Sequence, residues 1–94
     1  MEITGKLKTI NLTQQVSDKF QKREFVVETD LHTDYPQTIL LELSQDKCDI
    51  IDAYEVGQDI KVEFNLRGRQ WTNQQGEVKT FNTLSAWKIQ PLNQ

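Results

Sequence analysis

The sequence predicts an all-β protein with one short helix, folded as a small barrel. Five segments alternate apolar and polar residues with the two-residue period of half-buried strands. One helix-like segment lies between the third and fourth of them, and turn-forming residues separate the others. Five strands with a helix in that position is the order of an OB-fold barrel, whereas an SH3-like barrel would not usually place a helix there. We therefore predict a single OB-fold domain over residues 1–94.

The first predicted strand spans residues 1–12 and changes face part-way. Its apolar residues are at odd-numbered positions as far as Leu7 and at even-numbered positions from Ile10 onwards. This change predicts a bulge near Lys8–Thr9. Gly5, inside the strand, would allow sharp curvature or the close approach of another backbone.

The second and third strands are predicted over residues 21–29 and 38–43. Residues 13–19 are polar and are expected to form a loop before the second strand. Residues 30–36 contain a proline and several polar side chains, so they read as the turn between the two strands.

A short helix is predicted over residues 45–54, with Ser44 as a plausible N-cap. The spacing of its apolar residues leaves two buried sets open. These are Cys48, Ile51 and Tyr54, or Ile50 and Tyr54.

The fourth and fifth strands are predicted over residues 59–69 and 78–89, joined through an Asn-Gln-Gln-Gly turn. The apolar residues of the fifth strand fall at both odd and even positions, so in a regular strand they would point to both faces of the sheet. A bulge near Ser85 would bring them to one face. We expect Phe64 and Trp87 to lie in the core.

Composition restricts the class of protein. The chain has 36% hydrophobic and 27% charged residues, and no apolar run approaches the ~20 residues that span a bilayer, so no membrane association is expected. The N-terminal segment alternates and contains charges, unlike a secretory signal peptide. Cys48 is the single cysteine, which together with this N-terminus predicts a cytoplasmic protein.

The charge is distributed unevenly. The net charge is -3, yet residues 64–94 contain four basic residues and one acid, whereas residues 1–63 contain seven basic residues and thirteen acids. A protein with one basic side can hold a polyanion there, although the overall charge predicts modest affinity and a small salt dependence.

The stretch from Gly57 to Gly76 is the most informative about function. Apolar residues alternate along the fourth strand, and the opposite face carries Arg67, Arg69 and Trp71 at every second position. Guanidinium groups suit phosphates and an indole offers a flat face to a base, so this pattern predicts binding of a single-stranded nucleic acid.

The same stretch resembles the fourth strand and following loop of bacterial single-stranded DNA-binding proteins, and is nearest to small stand-alone OB-fold relatives of that family. The resemblance covers 20 of 94 residues. The shared positions are Gly57, Ile60, Val62, Glu63, Leu66, Arg67, Arg69, Trp71, Thr72, Asn73 and Gly76.

The resemblance implies single-stranded DNA as the ligand, with RNA left open, and a homodimer or higher homo-oligomer. A role in DNA replication or repair would suit such a protein. Two family features are missing. The third strand has no aromatic residues, and the chain ends at Gln94 without the family's acidic tail, so we expect a smaller site and no recruitment of replication enzymes.

Nine side chains are candidates for nucleic-acid binding. Arg67 and Arg69 would contact phosphates, or else form a solvated face paired with Glu63 or Glu77. Trp71 would stack on a base, or else fold back over apolar surface or anchor an oligomer contact. The remaining candidates are Phe20 and Phe81 for stacking, and Lys22, Arg23, Lys61 and Lys79 as cations along the groove.

Each of these has a structural alternative. Phe20 could begin the core, and Phe81 could pair with Trp71 to stiffen the hairpin. Lys61 and Lys79 could be ordinary surface lysines.

Enzymatic activity is not expected. The sequence contains no phosphate loop, glycine-rich cradle or acid/base pair, so we predict no catalytic residues and no cofactor. Asp46, Asp49 and Asp52 share a helical stripe but have no histidine or glutamate at a suitable spacing, so no metal site is predicted. The main alternative function is an OB-fold protein-interaction or assembly module without nucleic-acid affinity, and an oligosaccharide-binding barrel is a weaker one.

Overall fold

The computed structural model describes residues 1–92. It contains six strands and one 3₁₀ helix, which follow one another along the chain. They are β1 (Glu2–Ile10), β2 (Gln14–Ser17), β3 (Phe20–Thr29), β4 (Gln37–Ser44), the 3₁₀ helix (Gln45–Ala53), β5 (Asp59–Thr72) and β6 (Val78–Pro91). The five predicted strands correspond to β1, β3, β4, β5 and β6, and the helix lies where it was predicted. The additional strand β2 forms within the predicted polar loop and pairs with β3 as a short hairpin.

The five long strands close into a ring, in the order β1-β5-β6-β4-β3 and back to β1. Closure depends on β1, which pairs with β5 from Glu2 to Lys6 and with β3 from Lys6 to Ile10. All these pairings are antiparallel except the contact between β4 and β6, which is parallel. This closed barrel, with its helix between β4 and β5, confirms the predicted OB-fold.

Two irregularities in β1 allow this double pairing. The register against β3 shifts between Leu7 and Thr9, so Lys8 is the extra residue of the predicted bulge. Gly5 lies where β1 passes from one partner to the other, and a Cβ atom there would be 2.5 Å from the carbonyl oxygen of Glu28. The close backbone approach predicted at Gly5 is therefore present.

The barrel interior is filled by apolar residues of alternate positions on every long strand, together with one face of the helix. Phe64 belongs to this core, as predicted. The full set of buried residues is Leu7, Phe25, Val27, Leu41, Leu43, Cys48, Ile51, Ile60, Val62, Phe64, Ala86 and Ile89.

Trp87 was predicted in the core, and this prediction is wrong because 42% of the residue is exposed. The reason is the bulge in β6. Glu63 pairs with Lys88 and Phe64 pairs with Ala86, so Trp87 is the extra residue and turns outward. The bulge predicted near Ser85 exists, but two residues further along the chain.

The helix is of the 3₁₀ type and buries Cys48 and Ile51, with Tyr54 packed against the core and donating its hydroxyl to the Ile89 carbonyl at 2.8 Å. These three residues recur at intervals of three, which is the period of a 3₁₀ helix. The predicted role of Ser44 is wrong, because this residue precedes the helix but its hydroxyl makes no capping hydrogen bond.

The outer halves of β5 and β6 project from the barrel as a two-stranded arm. The last residue of β5 that pairs with β1 is Glu63, and β4 meets β6 at Ser85. Beyond these points β5 and β6 pair only with each other, as far as Thr72 opposite Val78. We refer to residues 65–84 as the arm. Its projection agrees with the elongated dimensions of the molecule, 51 × 34 × 20 Å.

Across residues 1–92 the structure contains no helix of the length and apolar character needed to cross a bilayer.

Candidate nucleic-acid interface

One face of the arm carries five of the nine candidate side chains. In the antiparallel register Arg67 lies opposite Thr83, Arg69 opposite Phe81, and Trp71 opposite Lys79. Residues directly opposite each other in an antiparallel pair point to the same side of the sheet. We call this side, formed by Arg67, Arg69, Trp71, Lys79 and Phe81, the basic face.

The cations of the basic face are free of ion pairs. Within residues 1–92, no carboxylate oxygen lies within 4.0 Å of Arg67, Arg69 or Lys79. The two acids considered as partners for the arginines are engaged elsewhere. Glu63 lies 3.9 Å from Lys88, and Glu77 accepts a hydrogen bond from Asn73 at 3.0 Å. The basic face therefore presents uncompensated positive charge to solvent.

The barrel end of the basic face forms one wall of a groove of about 700 Å³. The outer faces of β3 and β4 form its floor, because side chains at even-numbered positions of both strands point away from the core. Arg67, Arg69 and Phe81 line the arm side. The floor and the β2–β3 hairpin contribute Val16, Phe20, Lys22, Glu24, Leu40 and Glu42.

Phe20 is half-buried in this groove and lies outside the core cluster. It begins β3, directly after the turn from β2, and the residues on both sides of it are held by Gln45. The Gln45 amide donates to the Lys19 carbonyl at 2.8 Å, and its side-chain oxygen accepts from the Gln21 backbone at 3.2 Å. The Gln21 side chain donates in turn to the Gln45 carbonyl at 2.9 Å.

Gln45 adopts a left-handed backbone conformation, with a φ of 55°. Such a conformation costs about 1–2 kcal/mol in a non-glycine residue, which the three hydrogen bonds to Lys19 and Gln21 offset. Sequence reasoning missed this residue, because a glutamine at a strand–helix junction has no distinguishing pattern. Gln45 is a positioning residue for Phe20.

Lys22 also lines the groove, but its charge is compensated. Its ammonium group lies 4.0 Å from a Glu24 oxygen and 3.8 Å from a Glu42 oxygen. A phosphate approaching Lys22 would therefore also approach two carboxylates. The acids of the groove floor were not among the predicted site residues.

Two predicted cations lie away from the groove. Arg23 follows Lys22 on β3 and so points to the opposite side. Its guanidinium bonds to the Asn11 and Cys48 carbonyls at 2.8 and 3.3 Å and to Asp52 at 2.9 Å. Lys61 lies beside β1 and is 3.5 Å from Glu2, about 20 Å along the strand from Arg67.

Trp71 is on the basic face but beyond the end of the groove, near the tip of the arm, and 54% of the residue is exposed. The tip itself is ordered by Asn73, whose side-chain oxygen accepts from the backbone of Gln75 and Glu77 at 2.9 Å each. Gly76 completes the turn with a φ of 83°.

Residues 2–90 match the family model described as "Domain of unknown function (DUF3127)". The chain belongs to the DUF3127 family. No curated protein matches this DUF3127 domain in sequence.

Solved structures similar to the DUF3127 domain include single-stranded DNA binding proteins. The mitochondrial protein Rim1 of S. cerevisiae has a TM-score of 0.70 and 14% identity, with 98% of this chain and 92% of Rim1 covered. The wild-type protein of Thermus aquaticus has a TM-score of 0.70 and 21% identity, with 98% of this chain covered. The DUF3127 domain spans 48% of that Thermus chain. At these identities the likeness establishes the shared fold.

Proposed function

We propose that this DUF3127 domain is a non-catalytic protein that binds single-stranded nucleic acid, DNA first of all, in the groove between the basic face and the outer surface of β3 and β4. The observation that carries the proposal is the combination, in one groove, of two unpaired guanidinium groups with aromatic rings on both sides. Cations that follow the backbone and rings that stack on bases are the two components of single-strand recognition.

Arg67 and Arg69 neutralise phosphates in this proposal. Their freedom from ion pairs within residues 1–92 means that binding breaks no existing salt bridge. Each guanidinium can donate two parallel hydrogen bonds to a phosphate. Lys79, across the arm and next to the tip, extends the positive charge past the groove.

Phe81 and Phe20 stack on bases. Phe81 belongs to the arm and 47% of the residue is exposed, while Phe20 begins β3 on the opposite side of the groove. Trp71 continues the same face towards the tip and stacks on a base that has left the groove. Arg23 and Lys61 have no contact with the ligand in this proposal, and Lys22 contributes little net charge.

The similar solved structures support the proposal, since the proteins named there are single-stranded DNA binding proteins with the same fold. Binding of RNA, a homodimer or higher homo-oligomer, a role in replication or repair, and a cytoplasmic location stay predictions from the sequence.

The proposal can be tested by fluorescence anisotropy with a fluorescein-labelled single strand of mixed sequence, about 30 nucleotides long so that it spans at least one OB-fold site. We expect binding that weakens as salt rises, with a slope of about -0.7 per phosphate contacted. The double variant Arg67→Ala/Arg69→Ala should bind about tenfold or more weakly and lose about 1.4 from that slope. Phe81→Ala should lose about 1–3 kcal/mol of binding free energy.

A charge-matched control is available in Lys8→Ala/Lys88→Ala. These lysines are outside the groove, paired with Glu28 and Glu63, and their side chains are 51% and 50% exposed. If this control loses as much affinity as the arginine double variant, binding does not use the basic face. If the wild-type protein shows no binding at tens of micromolar in low salt, the proposal fails and a protein-interaction module anchored by Trp71 becomes the better hypothesis.

A further inference from the structure

Two carboxylates lie side by side on the floor of the groove. Glu24 of β3 and Glu42 of β4 are directly opposite each other in the antiparallel register, and both line the groove. Directly opposed residues have Cβ atoms about 5 Å apart. Their side chains are 29% and 21% exposed, so the carboxylates are partly withdrawn from water.

Without a bound ligand, this pair of carboxylates lowers the stability of the fold. Like charges directly opposite each other destabilise a sheet, and among residues 1–92 the only cation within 4.0 Å of either carboxylate is Lys22, which lies two residues before Glu24 on β3 and diagonal to Glu42. The Lys22 ammonium group is 4.0 and 3.8 Å from the nearest carboxylate oxygens, which is too long for a hydrogen bond. Among residues 1–92, no side chain or backbone group donates a hydrogen bond to either carboxylate. Local conflicts of this kind are expected at functional sites.

The groove is therefore polarised across its width. The arm wall carries the uncompensated cations Arg67 and Arg69, while the floor carries two acids against one lysine. A single strand bound there has its phosphates drawn to the arm, and its base edges directed towards the floor. The carboxylates are then the hydrogen-bond acceptors that the base edges meet.

Resting on the function proposed above, we infer that Glu24 and Glu42 make the groove select bases with an exocyclic amino group and disfavour thymine and uracil. Cytosine and adenine present an N–H₂ donor where thymine presents the O4 acceptor, and glutamate pairs with the cytosine amino group. A carbonyl oxygen facing a carboxylate would instead leave both acceptors unsatisfied and repelling each other. Among residues 1–92, no third carboxylate, histidine or thiol joins the pair, which does not suit a metal site.

The test compares oligomers of dC and dT, about 12 nucleotides long so that each fills one site, at neutral pH and a fixed salt concentration. The wild-type protein should bind dC about fivefold more tightly than dT, at the low end of what one base-specific pairing contributes. In Glu24→Gln/Glu42→Gln the affinity for both oligomers should rise, because two negative charges are removed near the phosphates, and the dC-to-dT ratio should fall towards one. A dC oligomer whose bases are replaced by 2-pyrimidinone, which is cytosine without its amino group, should bind the wild-type protein no better than dT.

Glu63→Gln is the matched control. The Glu63 side chain is 28% exposed, close to the values of Glu24 and Glu42, and also lies at a long distance, 3.9 Å, from a lysine, but it is outside the groove. It should leave the dC-to-dT ratio unchanged. Equal binding of dC and dT by the wild-type protein, or an unchanged ratio in the double variant, would overturn the inference while leaving the proposed function in place. Failure of every oligomer to bind would overturn both.

Discussion

Gly5 offers a quantitative test of how the barrel closes. A Cβ atom at this position would lie 2.5 Å from the Glu28 carbonyl oxygen and 2.7 Å from a Val27 methyl group. Ordinary carbon–oxygen contacts begin near 3.3 Å, so β1 and β3 would have to separate by about 0.8 Å. The obstacle is a backbone atom of the neighbouring strand, so rotating a side chain cannot relieve it.

The expected cost of Gly5→Ala follows from two opposing effects. Overpacking of this kind costs about 2–3 kcal/mol, the upper part of its usual range, because backbone must move. Alanine recovers about 0.5 kcal/mol because it restricts the unfolded chain more than glycine does. The net loss of unfolding free energy is then about 1.5–2.5 kcal/mol, which lowers Tm by about 6–20 °C in a domain of this size.

Urea and thermal unfolding followed by far-UV circular dichroism would measure this loss. Gly68→Ala is the matched control, because Gly68 is also a strand glycine without a positive φ, and its added Cβ would meet the movable end of Asn82 at 3.2 Å. We expect the control to lose no more than about 0.5 kcal/mol. If Gly5→Ala is as stable as the control, β1 and β3 do not approach each other as closely as described, and the explanation of barrel closure is wrong.

Two further predictions concern groups that hold the helix in place. Arg23→Met should lower the unfolding free energy by about 1–2 kcal/mol, because it leaves the partly buried Cys48 carbonyl without its donor, whereas Asp52 and the Asn11 carbonyl are exposed and regain water. Its affinity for single strands, measured well below Tm, should equal that of the wild type, whereas a loss comparable to that of the Arg67→Ala/Arg69→Ala variant would place Arg23 in the interface. Burial raises the pKa of the Cys48 thiol above its ordinary 9.0, so this group favours the folded state fully below pH 9 and its contribution is lost as the pH rises through the raised folded value. Urea melts at pH 7.5 and 10 should therefore show a larger fall in stability for the wild type than for Cys48→Ala, and equal falls would contradict the assignment.

The long strands and their order were predictable because their determinants are local. Alternation identifies each long strand, and the change of parity after Leu7 locates the bulge at Lys8. The same reasoning failed at Trp87. A change between odd and even apolar positions shows that a strand contains a bulge, but it does not show which residue is the extra one. The strand β2 was missed for another reason: it has no buried side chain, and a strand without an apolar face has no period to detect.

The site was only partly predictable. The basic face lies on one hairpin, so alternation along β5 was enough to bring Arg67, Arg69 and Trp71 together. Alternation also places Glu42 on the outer face of β4, but its position across the groove from the basic face depends on closure of the barrel, which is not a local property. Arg23 did have a signal in the sequence. It is two residues from the buried Phe25 on the same strand, so both side chains point to the inner side of the sheet.

The double pairing of β1 also determines when a growing chain can finish folding. β1 is synthesised before the other strands of the barrel, yet the partner of its first residue, Glu2, is Glu63 of β5. The hairpin of β3 and β4 can form early, whereas the ring cannot close until both β5 and β6 have been synthesised, because β6 joins β5 to β4. Pairings so distant along the chain are slow, with folding times of milliseconds to seconds in all-β domains of this kind. Ile3 is packed against the core only once β1 has docked on β5, so the strand that precedes all others in the domain reaches its final place near the end of folding.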